Sequence, residues 1–401
     1  MSSPPLSGLR VVEFARILAG PWIGQTLADL GADVIKVESP EGDDTRRWGP
    51  PFVRNADGSE GDAAYFHACN RGKRSVTADL STEDGRNFAR ALASRADVFI
   101  ENFKARKTAK YGLDYRSLRE LNPRLVYCSV TGFGQTGPYS DRAGYDAMIQ
   151  AMSGIMDLTG EPDGLPQKVG VAIADIVTGL YGVVAIQAAL AQRAETGVGQ
   201  HIDMSLFDSM VGVLANQNLN YLVSGVAPRR LGNAHPNIVP YEVFEVSDGH
   251  MMLAVGNDSQ FRKLCVIVGE PQLADHPHFA DNPARVRNRA ELRAVLSRVF
   301  PARTANDWLR QLEEAGIPAG PINTLADVFA DPQVVHRQLK IDLDAPWTAR
   351  GSLPGVRTPI RFSDAVLSCH RPSPRLGEHT AEVRRELASD APTPTATRGS
   401  G

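Results

Sequence analysis

Asp175 is the one charged residue between Val169 and Gln192. The residues around it, VGVAIA before and IVTG after, are small or apolar. A carboxylate so placed has two ordinary roles. It can cap a helix over residues 176–192, which is worth ~1 kcal/mol. Or it can be a nucleophile, held ionised by a helix N-terminus in an apolar setting where small neighbours leave room for a substrate. A carboxylate attacking a thioester gives a mixed anhydride and a thiolate, and that chemistry requires no metal, histidine or redox cofactor. The sequence contains no HExxH, GxSxG, P-loop or CxxC motif that would point to another mechanism.

A second motif is Gly132-Phe133-Gly134-Gln135-Thr136-Gly137, which fits GxGxxG and follows a strand-like run. In a dinucleotide site a helix opens at once, so that its amides face the pyrophosphate. Here residues 138–144 continue as loop, and the glycines are read instead as allowing close approach to a ligand or to another loop. The four cysteines, Cys69, Cys128, Cys265 and Cys369, have neither zinc-type nor redox spacing and read as reduced thiols. No metal site is expected.

These residues need elements to hold them. Residues 9–14, 32–37, 75–79, 98–101 and 125–130 read as strands, with helices over 22–30 and 81–95. This β-α-β alternation predicts an α/β fold with a parallel sheet, whose ligands sit beyond the strands' carboxyl ends. Residues 201–204 read as a further short strand, 223–240 as a long linker, 241–246 and 251–255 as a hairpin, and 261–268 and 290–315 as helices. The run 176–192 is shorter than the ~18 to 20 apolar residues of a membrane span and reads as a buried helix. The N-terminus lacks a signal-peptide pattern. With 401 residues, 43 basic and 46 acidic side chains and a net charge of −3, the chain has no bulk basic excess for nucleic acid. A soluble, cytoplasmic, two- or three-domain protein is expected, with no membrane partner.

Several segments together resemble the family III coenzyme A transferases (the CaiB/BaiF family): LRVVEFARILAGP (9–21), LADLGADVIKVESPEGDDTRRWGPPF (27–52), YFHACNRGKRSV (65–76), ENF (101–103), SVTGFGQTGPYSDRAGYDA (129–147), VGVAIADIVTGLY (169–181) and TGVGQHIDMSLFDS (196–209). DDTRRWGPPF, GYDA and NAHPNIVPY (233–241) are most similar to the succinate–hydroxymethylglutarate type. The resemblance implies an α/β chain with a Rossmann-like large domain built from both chain ends (1–224 and 331–390). A smaller α+β domain (225–330) is inserted, a tail from 391 is disordered, and two chains interlock as rings in a homodimer. It implies a second linker near 323–334.

It also implies that Asp175 is the nucleophile, with acyl-CoA and a carboxylic acid as substrates and no permanently bound cofactor. Arg16, Ile17, Asn102, Phe103, Lys110 and Tyr145 fall near coenzyme A, and the cluster Arg71, Lys73 and Arg74 is a candidate for its phosphates. Selection of a dicarboxylate needs a cation for the distal carboxylate. Arg46 and Arg47 beside Trp48, with His235, are the candidates. Tyr65 is a pocket wall, and Gly256 is in a loop that covers the site. CoA transfer from succinyl-CoA to a glutarate-like acid via an aspartyl-CoA thioester is the expected activity. The alternatives are an α-methylacyl-CoA racemase-like epimerase and a CoA-binding protein without turnover. A racemase needs two acid/base groups, and Tyr145 stands where racemase-like members have histidine.

Overall fold

The computed structural model describes residues 3–367 and 371–389; Cys369 and the tail expected from 391 lie outside them. The chain divides into two compact units. One comprises Met1–Gly154, Val169–Asn218 and Val334–Gly401, the other Ile155–Lys168 and Leu219–Gln333. The stretch Ile155–Lys168, placed in the first domain by the sequence reading, therefore groups with the second unit.

The first unit is built on a six-stranded sheet: β1 (Arg10–Glu13), β2 (Asp33–Glu38), β3 (Arg74–Thr77), β4 (Val98–Glu101), β5 (Val126–Thr131) and β6 (His201–Ser205). All neighbours are parallel, in the order β3-β2-β1-β4-β5-β6. In register, Val11 lies beside Val34 on one side and Val98 on the other. Val11, Val12, Val34, Val98, Phe99 and Val126 are fully buried. Such unbroken apolar runs are what a parallel sheet covered on both faces requires. The strand order reverses between β1 and β4, which opens a crevice at their carboxyl ends.

Helix α1 (Ala19–Asp29) starts three residues before the expected point. Gly20 and Pro21 fall in its first turn, where amides have no intrahelical partner and proline is tolerated. Helix α2 (Glu83–Ser94) is capped by Thr82, whose Oγ1 accepts from Gly85 N–H at 3.1 Å. Helix α3 (Asp146–Met152) precedes the long α4 (Ile173–Thr196). Gly182 lets α4 lie against α1, since a Cβ there would meet Ile23 at 2.5 Å. The other face of α4 exposes Leu180, Tyr181 and Val184. The expectation of a buried helix thus holds for one face only: a third of its apolar window is buried, and by length and composition it could cross a membrane.

Under the carboxyl ends of β1 and β2 lies a set of buried charges. Glu13 sits between two fully buried ammonium groups, Lys36 at 3.2 Å and Lys73 at 2.8 Å. Lys36 also pairs with Asp43 at 2.9 Å and donates to Ala15 C=O. Lys73 further donates to Pro21 C=O and to Asn70. Arg74 joins β3 to the helix Thr380–Ser389 through Glu382 and Glu386, while also pairing with Asp33.

The second unit carries a three-stranded antiparallel sheet, with β7 (Tyr241–Val246) and β8 (Gly249–Ala254) as the expected hairpin and β9 (Ala319–Pro321) beside β8. Its core holds Phe244, Phe261, Phe279, Phe300 and Trp308. The helix expected over 290–315 is two, Arg289–Val299 and Ala305–Glu314. Pro301 breaks the run because it lacks an N–H and clashes with the preceding turn, and Thr304 caps the second helix. Of the linker expected at 223–240, residues 225–240 have neither helix nor strand, while 223 and 224 end the helix Asn216–Ser224. The second expected linker, 323–334, instead contains the helix Leu325–Ala330 with a Thr324/Asp327 capping box.

Removing the Glu13 carboxylate takes the ion-pair partner from buried Lys73 and leaves buried Lys36 with Asp43. The Glu13→Ala variant is expected to lose about 3–5 kcal/mol in urea denaturation; a loss below ~1 kcal/mol would show that the lysines find other partners.

Candidate active site

Where the sheet order reverses, the first unit contains a cavity of about 350 Å³. The turn after β1 (Arg16, Ile17), the loop after β4 (Asn102, Phe103) and Asp175 all line it. The two turns are tied to each other: Asn102 accepts from Arg16 N–H at 2.9 Å and donates to Arg16 C=O at 2.7 Å. Lys110 and Tyr145 complete the sequence-predicted residues on the wall.

Asp175 is the third residue of α4, not its cap. Ala172 occupies the cap position and offers no side-chain acceptor. The capping acceptor comes from elsewhere. Asp146 Oδ1 receives the Ala174 amide at 2.7 Å and the Asp175 amide at 3.4 Å. The neighbouring Ile173 amide goes to Val171 C=O. The first-turn amides are therefore occupied, and the helix end is already matched by a carboxylate. Burial, and then the charge of Asp146, raise the Asp175 carboxyl to about 7. The expectation that a helix N-terminus holds Asp175 ionised is thus reversed in its electrostatics. The same geometry makes it a poorly solvated and comparatively basic carboxylate, which favours nucleophilic attack.

Asp146 itself is placed by a glycine contact. A Cβ on Gly132 would lie 2.6 Å from Gly144 Cα. The GxGxxG segment therefore lets two loops touch, which sets the start of α3. Gln150, one turn on, donates to Asp146 and accepts from Val169 N–H.

Several predicted binding residues lie elsewhere. The basic cluster points inward: Arg71 forms a two-bonded pair with Asp29 at 2.9 and 2.6 Å, and Lys73 and Arg74 are in the ion pairs described above. All three are buried, so none is available to a phosphate. Arg46 is buried as well. Its guanidinium bonds Glu38, Asp62 and Pro374 C=O and lies over the Phe66 ring at 3.7 Å. Its assignment to a substrate carboxylate is corrected to a structural one. Arg47 is exposed, donates to Glu41 C=O and does not line the cavity. Neither Trp48 nor Tyr65, the expected pocket wall, lines the cavity; the two rings stand edge-on at 5.5 Å. Burial, then the Asp175 charge, push the Tyr65 phenol up to about 12, so it stays a donor. His235 and Gly256 belong to the second unit. There His235 Nδ1 accepts from Asn237 N–H, and Gly256 N–H goes to Gln260.

The cations that do reach the cavity are Arg16, Lys104, Lys107, Lys110 and Arg142, against the two carboxylates Asp146 and Asp175. Sequence reasoning missed Lys104, Lys107 and Arg142. Their signal was weak: the KARKTAK run looks like any solvated surface segment. Only its position after β4 marks it.

A sequence model of CoA-transferase family III matches residues 6–380. The chain belongs to CoA-transferase family III. The succinate–glutarate CoA-transferase of Agrobacterium fabrum is 59% identical over 98% of both chains. The human succinyl-CoA:glutarate CoA-transferase is 42% identical over 96% of this chain and 86% of that protein. A crystal structure of a CaiB/BaiF family protein from Brucella suis superimposes with a TM-score of 0.85, 62% identity, 96% coverage of this chain and 100% of the other. As a member of family III the chain is a CoA-transferase, and the α/β fold with its parallel sheet agrees with that family.

Asp146→Asn keeps an oxygen for the two amides but removes the charge beside Asp175. With Asp175 as the reacting group, the acid limb of kcat/KM follows loss of its carboxylate as pH falls through about 7, and in this variant the limb is expected to move to lower pH. An unmoved limb in pH profiles from 5 to 9 counts against the coupling. Because the folded pKa of Asp175 is raised, the folded state holds its proton more tightly than the unfolded chain, and stability falls as pH rises through the window from the usual aspartate value of 3.8 to about 7. Asp175→Asn should therefore melt higher than the parent at pH 8, with the gap closing near pH 4. A gap independent of pH contradicts the burial argument.

Proposed function

We propose that this enzyme moves CoA from succinyl-CoA to a dicarboxylic acid of the glutarate class through a covalent intermediate on Asp175. The observation that carries the reading is the position of Asp175, a half-buried carboxylate of raised pKa on the wall of a cavity ringed by five cations. The relatives named for succinate–glutarate transfer supply the substrate class.

In the first half-reaction an Asp175 carboxylate oxygen bonds to the thioester carbon of succinyl-CoA, and the C–S bond breaks. The products are an aspartyl–succinyl anhydride and CoA thiolate. The thiolate then attacks the Asp175 acyl carbon, the anhydride C–O bond breaks, and succinate leaves from an aspartyl-CoA thioester. The acceptor carboxylate attacks that thioester and the steps run in reverse, returning the Asp175 carboxylate and the new acyl-CoA. No proton is gained or lost overall. Lys104, Lys107, Lys110 and Arg142 face the three-phosphate, anionic end of CoA in this reading, and the Tyr65 phenol is a neutral donor near the reacting carboxylate.

Epimerisation is the less supported activity. Among the described residues no histidine lines the cavity, and Tyr145 stands beside Asp146. The homodimer of interlocked rings, with a small domain inserted in the large one, is likewise proposed. Its support is the exposed apolar face of α4 and the exposed Leu219, Leu222, Val223 and Val226 of the second unit. A soluble, cytoplasmic enzyme without nucleic-acid or membrane partners completes the proposal.

Asp175→Ala is expected to abolish CoA exchange between succinyl-CoA and glutarate. Intact-mass spectrometry should show a CoA adduct on the parent after succinyl-CoA alone and none on the variant. Turnover near the parent's would sink the nucleophile assignment, and deuterium uptake at the α-carbon of 2-methylacyl-CoA in heavy water would favour epimerisation. Replacing Lys104 and Lys107 by Ala should raise KM for the CoA ester by about 10-fold, roughly the worth of one charge-assisted bond, and leave KM for glutarate unchanged. Equal changes in both would remove these lysines from the CoA site.

A further inference from the structure

Ile17, on the cavity wall, has φ +72. A β-branched residue in the left-handed region is an outlier that only its surroundings can maintain. Those surroundings are four side chains from elsewhere in the chain. Arg16 N–H and C=O both go to Asn102. Ile17 N–H is shared between the two carboxylate oxygens of Asp43, each at 3.3 Å. Ile17 C=O accepts the Cys69 thiol, and Ala15 C=O accepts Lys36 Nζ at 2.8 Å. Thus each of these backbone groups is held by a side chain from outside the turn.

Asp43 is the centre of this clamp. It is fully buried and accepts from Lys36 Nζ at 2.9 Å, from Thr45 N–H at 3.0 Å and from Thr45 Oγ1 at 2.8 Å, as well as from Ile17. Its own amide goes to Glu38. We propose that Asp43, oriented by Lys36 and Thr45, is a positioning residue for CoA transfer. It holds Ile17 in its left-handed conformation, so that the turn after β1 presents a fixed wall beside Asp175. The site itself supports a permanent clamp. Burial opposes ionisation of Asp43, but Lys36 and the Thr45 bonds outweigh it and hold the carboxyl down at about 2, while burial pushes the Cys69 thiol up to about 12, so that it remains a donor. Both groups keep these states across the working pH range.

The inference rests on the assignment of Asp175 as nucleophile, and its test separates the two. The measurement is a double-mutant cycle of Asp43→Asn and Ile17→Gly in the full-length enzyme, reading kcat, KM for succinyl-CoA and glutarate, and melting temperature. Asp43→Asn alone is expected to lower kcat by about 10- to 100-fold, as misplacement of a reacting group does, with both KM values within about twofold. Glycine adopts φ +72 without help. In an Ile17→Gly background the same Asp43 substitution is therefore expected to cost about threefold or less in kcat. An equal loss in both backgrounds, or a loss of kcat that follows the loss of melting temperature, overturns the proposal. Should Asp43→Asn not fold, Thr45→Val, which removes one bond from the Asp43 carboxylate, is run through the same cycle with the same readings. The CoA adduct followed by intact mass is the control. Its absence from the parent protein would remove the nucleophile assignment, whereas its slower formation in Asp43→Asn leaves that assignment intact and supports the clamp.

Discussion

Glu13, at the carboxyl end of the first strand, lies between the ammonium groups of Lys36 and Lys73 with no access to water. Ions in that position are tolerated only when every one has a close partner. Lys36 meets this condition by reaching Asp43, and Lys73 by reaching Asn70 and Pro21 C=O. The requirement for full pairing therefore joins β1, β2, the start of α1, the Asp43–Thr45 turn and the segment before β3. These are the segments on which the Arg16–Ile17 turn rests. The stiffness of one wall of the cavity follows from the cost of an unpaired charge beneath it.

Two kinds of cation arise from the same local chemistry. Arg46, Arg71, Lys73 and Arg74 occupy positions next to acidic partners brought in by β1, β2, α1 and the C-terminal helix, and all four are consumed in pairs. Lys104, Lys107, Lys110 and Arg142 lie beyond the strand ends, Lys107 and Lys110 in the short 3-10 helix Lys107–Tyr111, where solvent and an anionic ligand can reach them. The net charge of −3 describes neither population. What separates them is whether a carboxylate from another part of the chain arrives at the same point.

Asp175 and Asp146 show a similar division of labour. A helix N-terminus ordinarily favours an anion, and α4 has one within reach. Yet Asp146, from a different helix, takes the amides. The second carboxylate is left with burial and a like charge beside it, which raises rather than lowers its proton affinity. A carboxylate that is less well solvated gives up less when it attacks a thioester, so the arrangement favours reactivity at the expense of local stability.

The alternation of strands and helices, the hairpin at 241–246, the loop character of GxGxxG and the isolation of Asp175 were all legible in the chain, because each depends on hydrophobic period, turn residues or local charge. The resemblance of whole segments added the family and marked Asp175 as the candidate nucleophile. Residues 290–315 looked like one helix because the apolar period continues past Pro301, although the ring interrupts the backbone. The basic cluster at 71–74 looked like a ligand site, because its partners Asp29, Asp33, Glu382 and Glu386 are far away in sequence. By itself the sequence determined most of the elements and singled out Asp175 as an isolated carboxylate, since both are written in neighbouring residues. Only the tertiary structure decided which charges are paired, which amides are occupied and which turn is held in a left-handed conformation, since each of those depends on groups that meet only when the chain has folded.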